Sequence, residues 1–199
     1  MGPPTTDIAG CRDAHRDLLQ SLQGLTDEQA RMPSLLPGWT IGHVLSHIAR
    51  NADSVVRRLD AAAAGEIVDQ YPGDRPGREA EIEAGAGRAA VDLVADVRSS
   101  ADAVERAFDA APEAVWPRTV RGVSGREGSA AAMVLSRWRE VEVHHVDLGL
   151  GYSPQRWPEG LVRAWLPEVL VDLGQRADPT AVLAWVLRRG PAPHLARWG

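Results

Sequence analysis

Arg137-Trp138-Arg139-Glu140-Val141-Glu142-Val143-His144-His145-Val146-Asp147 is the stretch on which the fold turns. Glu140 and His144 are four residues apart, so in a helix they project from one face and can grip one metal ion. A second helical stretch, Thr40-Ile41-Gly42-His43-Val44-Leu45-Ser46-His47, offers His47 as a third ligand. Two imidazoles and one carboxylate on facing helices form a three-ligand zinc site with its fourth position open. An open position points to chemistry more than to scaffolding. The fold that presents ligands in this way is a bundle of long helices.

Arg137, Glu140, His144 and Asp147 lie along one helical stripe. A charged stripe is either a solvated face or the lining of a pocket. The apolar flank of Val141, Val143, Val146, Leu148 and Leu150 argues for the lining. His145 points roughly 100° away from His144 and is not expected to share the site. His43, four residues before His47, is a second candidate ligand, a partner behind the ligands or an exposed helix start. His15 and His194 have no spaced partner and read as ordinary surface or core histidines.

Composition narrows the function. At 199 residues the chain can bury a full core, so one main domain with a small appendage is expected. The net charge of −5 argues against nucleic-acid binding. No run of about eighteen apolar residues appears, so no membrane span is expected. The start Met1-Gly2-Pro3-Pro4-Thr5-Thr6-Asp7 lacks the basic and apolar segments of a signal peptide, making the cytoplasm the expected compartment. The one cysteine, Cys11, excludes an intrachain disulfide and a cysteine-based zinc site. All 22 basic residues are arginine, which removes Schiff-base lysine chemistry and a P-loop.

Helical spacing dominates the rest of the chain. Ile8, Cys11, Leu18, Leu19 and Leu22 mark a first amphipathic helix over 7–23. Thr26-Asp27-Glu28-Gln29 is a capping box opening a short helix, and Thr40 caps a long one reaching about Ala64. Its polar positions His43, His47, Arg50 and Ser54 face either water or a wet cavity inside a bundle. Residues 65–88, rich in glycine, proline and charge, are expected to form a crossover loop with a short helical start at 79–84. A third long helix covers 89–111, and 112–128 holds a turn with a brief extended pair. The fourth long helix covers 129–148, followed by helices over 161–173 and from Asp178-Pro179. Tryptophans such as Trp138, Trp165 and Trp185 fall at helical spacing and are expected to serve packing.

The stretch from Leu36-Pro37-Gly38-Trp39-Thr40 to His47-Ile48-Ala49-Arg50-Asn51-Ala52-Asp53 resembles the N-terminal signature of the mycothiol-dependent maleylpyruvate isomerase family. This family belongs to the DinB-like, or YfiT-like, metal-binding bundles. Arg78-Glu79-Ala80-Glu81-Ile82-Glu83 and Arg139-Glu140-Val141-Glu142-Val143-His144-His145-Val146-Asp147-Leu148-Gly149 also match, in the right order.

The resemblance implies a mainly α protein: a DinB-like four-helix bundle over 1–152 with a reduced C-terminal domain over 153–199. It implies Zn2+ or another divalent metal on His47, Glu140 and His144, with His43 behind the ligands and not bound to the ion. Arg78 and Arg189 match arginines that would contact the substrate or a thiol. The strands of the family's larger C-terminal domain are expected to be missing, because Gly174-Gln175-Arg176-Ala177 runs almost directly into Asp178-Pro179.

The implied partners are mycothiol, a low-molecular-weight thiol, and a small electrophile. In the implied isomerase chemistry a thiolate adds to a cis double bond, the resulting single bond rotates, and elimination gives the trans isomer. Glu142 or Asp147 would handle protons. Alternatives are a mycothiol S-transferase and a non-catalytic metal-binding bundle.

Overall fold

The computed structural model describes residues 2–195. The chain divides into two compact units, Met1–Trp157 and Pro158–Gly199. In the first unit, α1 (Thr5–Ser21) buries Ile8, Cys11, Ala14, His15 and Leu18, the single face its apolar spacing marks. Next comes α2 (Asp27–Arg31), opened by a full capping box between Thr26 and Gln29. The long helix α3 (Ile41–Ala64) stops at Gly65, which takes the left-handed conformation at φ 85°. It is followed by α4 (Asp74–Ala86) and α5 (Ala90–Ala110). A short antiparallel hairpin, β1 (Thr119–Arg121) and β2 (Glu127–Ser129), pairs Thr119 with Ser129. Ser129 at its end caps α6 (Ala130–Asp147) by accepting from the Ala132 amide.

Helices α1, α3, α5 and α6 form the bundle. Packed centrally, α3 touches α4, α5 and α6, while α1 closes on α5 and α6. The fold is the mainly α, DinB-like bundle that the sequence implied.

One stretch departs from expectation. Residues 74–86 form a complete helix, not a loop with a late helical start. Pro76 sits in its first turn, where a missing N–H leaves no intrahelical bond unmade. Gly73 enters at φ 74°, and a Cβ on Gly77 would lie 1.9 Å from the Pro72 carbonyl oxygen. Residues that look like loop punctuation thus build the start of a helix.

The α3–α4 contact is set by absent side chains. A Cβ on Gly42 would lie 2.2 Å from the Ala86 carbonyl oxygen, and one on Gly85 would lie 2.3 Å from Ser46 Oγ. Gly42→Ala therefore forces α4 outward against backbone that cannot rotate away. We expect a loss of about 1–3 kcal/mol in denaturant unfolding. An unchanged midpoint would show that α4 docks more loosely than this geometry implies.

Beneath the polar end of the bundle lies a buried network. Arg137 is fully buried and donates to the Ile48 carbonyl at 2.9 Å and to Asn51 Oδ1 at 2.8 Å. Its Nε lies 3.3 Å from His15 Nε2, and His15 Nδ1 lies 3.0 Å from Glu105 Oε1. With Arg137 donating, His15 Nε2 accepts and Nδ1 carries the proton toward Glu105. Burial lowers the His15 pKa, and Glu105 only partly offsets this.

The unfolded chain therefore takes up a proton that the folded chain resists. This contribution to stability is complete above about pH 6.5 and falls as the pH drops below it. Thermal melts of His15→Gln are expected to depend less steeply on pH below 6.5 than those of wild type. Identical slopes would show that His15 titrates alike in both states.

In the second unit, α7 (Glu159–Arg176) precedes α8 (Pro179–Val186), which Asp178 caps through the Ala181 amide. Among its described residues no strand occurs. Trp138 is a core residue as expected, but Trp165 is only half-buried and Trp185 is 44% exposed. Apolar spacing on a helix marks a face without supplying something to cover it. No helix among the described residues is long and apolar enough to cross a membrane.

Candidate metal centre

His47 lies two turns into α3, whose start is fixed locally. Thr40 Oγ1 accepts from the His43 amide, and His43 Nδ1 accepts from the Thr40 amide at 3.2 Å. With Nδ1 accepting, the proton belongs on Nε2, which lies 3.1 Å from Glu83 Oε2. The ring of His43 thus serves the helix start and a tie to α4. It makes no hydrogen bond to Glu140 or His144.

Glu140 and His144 project from α6 toward His47. His47 Nε2 lies 3.0 Å from His144 Nε2 and 3.2 Å from Glu140 Oε2, and the third edge of the triangle is 3.3 Å. Among the described residues, His47, Glu140 and His144 are the set whose donor atoms converge in this way. Ligand atoms held at 2.0–2.1 Å on a tetrahedral zinc stand roughly 3.3 Å apart. The donor triangle fits one face of such a tetrahedron with adjustments of a few tenths of an ångström. His47 is 3% exposed and the Glu140 side chain 34%, so one side of the triangle opens to solvent.

The electrostatics favour a cation. Burial alone would raise the Glu140 pKa, but hydrogen bonds from His144 and His47 hold it well below the usual carboxylate range. Burial alone would lower His144, but bonds to Asp147 and Glu140 outweigh it and push it up to about 9. His47 goes the other way: burial brings it down to about 4, against the pull of Glu140. Two carboxylates thus bracket one imidazole, a setting that stabilises positive charge between them.

Arg78, on α4, reaches the same place. Its Nη2 lies 3.3 Å from His47 Nδ1 and 3.5 Å from His47 Nε2. The guanidinium is held against Trp39 at 5.9 Å and Tyr71 at 5.8 Å, with no carboxylate partner among the described residues. Trp39 also meets the His47 ring edge-on at 5.7 Å. Sequence reasoning had not singled out Trp39 and Tyr71 as site residues. The signal was thin: one aromatic just before a helix cap and one in a polar segment.

Arg189 belongs to the second unit, where it is exposed beyond α8, with Nη1 donating to the Leu187 carbonyl at 3.3 Å. Other titratable groups of the first unit face away from the triangle. The Glu142 carboxylate accepts from Trp138 Nε1 and from the Tyr152 hydroxyl, on another face of α6. His145 stacks on Tyr152 at 3.7 Å and pairs with Ser21. Cys11 is buried, and burial pushes its thiol up to about 12, so it supplies no thiolate at neutral pH.

With this geometry in hand, comparison with known proteins is decisive. A family model described as the mycothiol maleylpyruvate isomerase N-terminal domain matches residues 11–149. The chain belongs to this family of enzymes. The matched segment includes all three triangle residues and Arg78, and excludes Arg189.

Two solved structures are similar. One is described as a crystal structure of the mycothiol-dependent maleylpyruvate isomerase, at 26% identity and a TM-score of 0.80. The other is that protein with one histidine-to-alanine substitution, at 26% identity and a TM-score of 0.79. Each alignment covers 84% of this chain and 69% of the other. No curated protein matches the chain.

Proposed function

We propose that this family member is a zinc- and mycothiol-dependent cis–trans isomerase of the maleylpyruvate isomerase type, acting in the cytoplasm. The observation that carries the reading is the donor triangle of His47, Glu140 and His144, open on one side and adjoining the Arg78 guanidinium, which has no carboxylate partner among the described residues. His47, Glu140 and His144 would hold the divalent ion. Bound there, it would lower the pKa of a coordinated thiol, which in turn supplies a nucleophile that adds reversibly to a cis double bond and frees it to rotate.

The chain's own residues do the rest. Arg78 offers its guanidinium fork to a substrate carboxylate. Trp39 and Tyr71 restrict that fork to one place, so less side-chain freedom is lost on binding. Trp39 also packs edge-on against the ring of His47. His43 would support the site indirectly by fixing the start of α3. Cys11 is too buried to compete as nucleophile, which leaves this role to an external thiol.

The test supplies zinc-loaded protein with mycothiol and maleylpyruvate. Fumarylpyruvate formed over many turnovers with the thiol recovered supports the proposal. A stable thiol conjugate formed one for one overturns it in favour of an S-transferase. Stoichiometric zinc without either product leaves a metal-binding module.

A further inference from the structure

We propose that Asp147 is a positioning residue of the metal centre: it fixes which nitrogen of His144 faces the ion. This rests on the metal reading above and adds a role to a residue whose carboxylate would not itself touch the ion.

Asp147 Oδ2 lies 2.8 Å from His144 Nδ1, on the far side of the ring from the donor triangle. A carboxylate at that distance holds the proton on Nδ1 and turns the lone pair of Nε2 toward His47 and Glu140. A free imidazole prefers its proton on Nε2, the atom that must be bare to bind an ion. Asp147 reverses that preference.

Two further observations separate this from a chance surface pair. Asp147 closes the last turn of α6, where the helix dipole disfavours negative charge. A carboxylate there needs a compensating partner, and His144 is the basic side chain it pairs with among the described residues. The backbone is also pinned, since the Asp147 carbonyl accepts from the Leu35 amide at 2.8 Å. Leu35 sits in the segment leading to Trp39 and the α3 cap, so the same residue is tied to both walls of the site. The Asp147 side chain is largely shielded, at 16% exposed.

The experiment measures zinc affinity by competition with a chromophoric chelator for wild type, His47→Ala, Asp147→Ala and Asp147→Asn. Proton–nitrogen spectra of the histidine side chains are recorded alongside. Losing an outer hydrogen bond of this kind typically weakens metal binding about 10–100-fold, which is expected for Asp147→Ala. Asp147→Asn keeps an acceptor oxygen and is expected to restore most of that loss. His144 should show a protected Nδ1–H in zinc-loaded wild type and in Asp147→Asn.

A folded Asp147→Ala with wild-type affinity overturns the proposal, as does a zinc-loaded wild type in which His144 carries its proton on Nε2. The latter result decides the matter even if Asp147→Ala fails to fold. Wild-type protein that takes up no zinc would overturn the metal reading and this role together. Zinc uptake lost in His47→Ala but untouched in both Asp147 variants would overturn this role alone.

Discussion

His47→Ala is expected to lose zinc binding, and the proposed thiol-dependent isomerisation with it. His47 contributes one corner of a triangle whose edges are 3.0, 3.2 and 3.3 Å, and it is the corner from α3. Glu140 and His144, both from α6, remain as a two-ligand remnant four residues apart, and helices carrying such pairs are common without an ion. The expected loss of affinity exceeds the roughly 10–100-fold that follows loss of an outer hydrogen bond. Metal content after purification without chelator checks it. His145→Ala is the matched control: its imidazole is buried one residue from His144 yet faces Tyr152 and Ser21. Zinc retained in full by His47→Ala, or lost equally in His145→Ala, would mean the triangle is not the ligand set.

The second large effect concerns stability. Arg137→Ala is expected to cost roughly 3–5 kcal/mol, the range for breaking one side of a buried charged network. The guanidinium is held by groups from α1 and α3, and through His15 it reaches Glu105 on α5. Its removal leaves Asn51 Oδ1 buried without this donor and strips one donor each from the Ile48 carbonyl and His15 Nε2, besides leaving a side-chain-sized void. In a protein of this length each kcal/mol moves Tm by about 2–4 °C, so the melt should fall by roughly 6–20 °C. A shift below about 3 °C would show that water replaces the guanidinium at little cost.

Both predictions involve the same stripe of α6, Arg137 as the substituted residue and Glu140 and His144 as the partners of His47, which shows how far the sequence could be read. Arg137, Glu140, His144 and Asp147 share one helical face, and that face was assigned as a unit. In the molecule the stripe runs through two environments. Arg137 enters a dry core against α1 and α3, whereas Glu140, His144 and Asp147 meet at the open end beside Arg78. Periodicity reports the direction of a side chain around the helix axis. It carries no information about the depth of the wall opposite.

His43 makes a similar point. Its spacing to His47 was clear, but its ring had already been claimed by the Thr40 cap. A histidine at the third position of a helix competes for the same orphan amides as the usual Glu or Gln. That role is local, yet it is easily overlooked beside a more dramatic one. The helix over 74–86 was missed for a related reason. Gly73 and Gly77 are needed there for a left-handed entry and for clearance from Pro72, conditions that exist only once the turn has folded.

By itself the sequence determined the helices, most of their ends and the three ligand types, because caps and periodic faces act over four or five residues. Family resemblance then joined His47 to Glu140 and His144 across 93 and 97 positions. Only the tertiary structure decided what stands around them. Arg78 reaches His47, and meets Trp39 and Tyr71 there, because Gly42 and Gly85 let α3 and α4 pack closely. Such contact depends on shape complementarity between segments far apart in the chain, and no local pattern of residues records it.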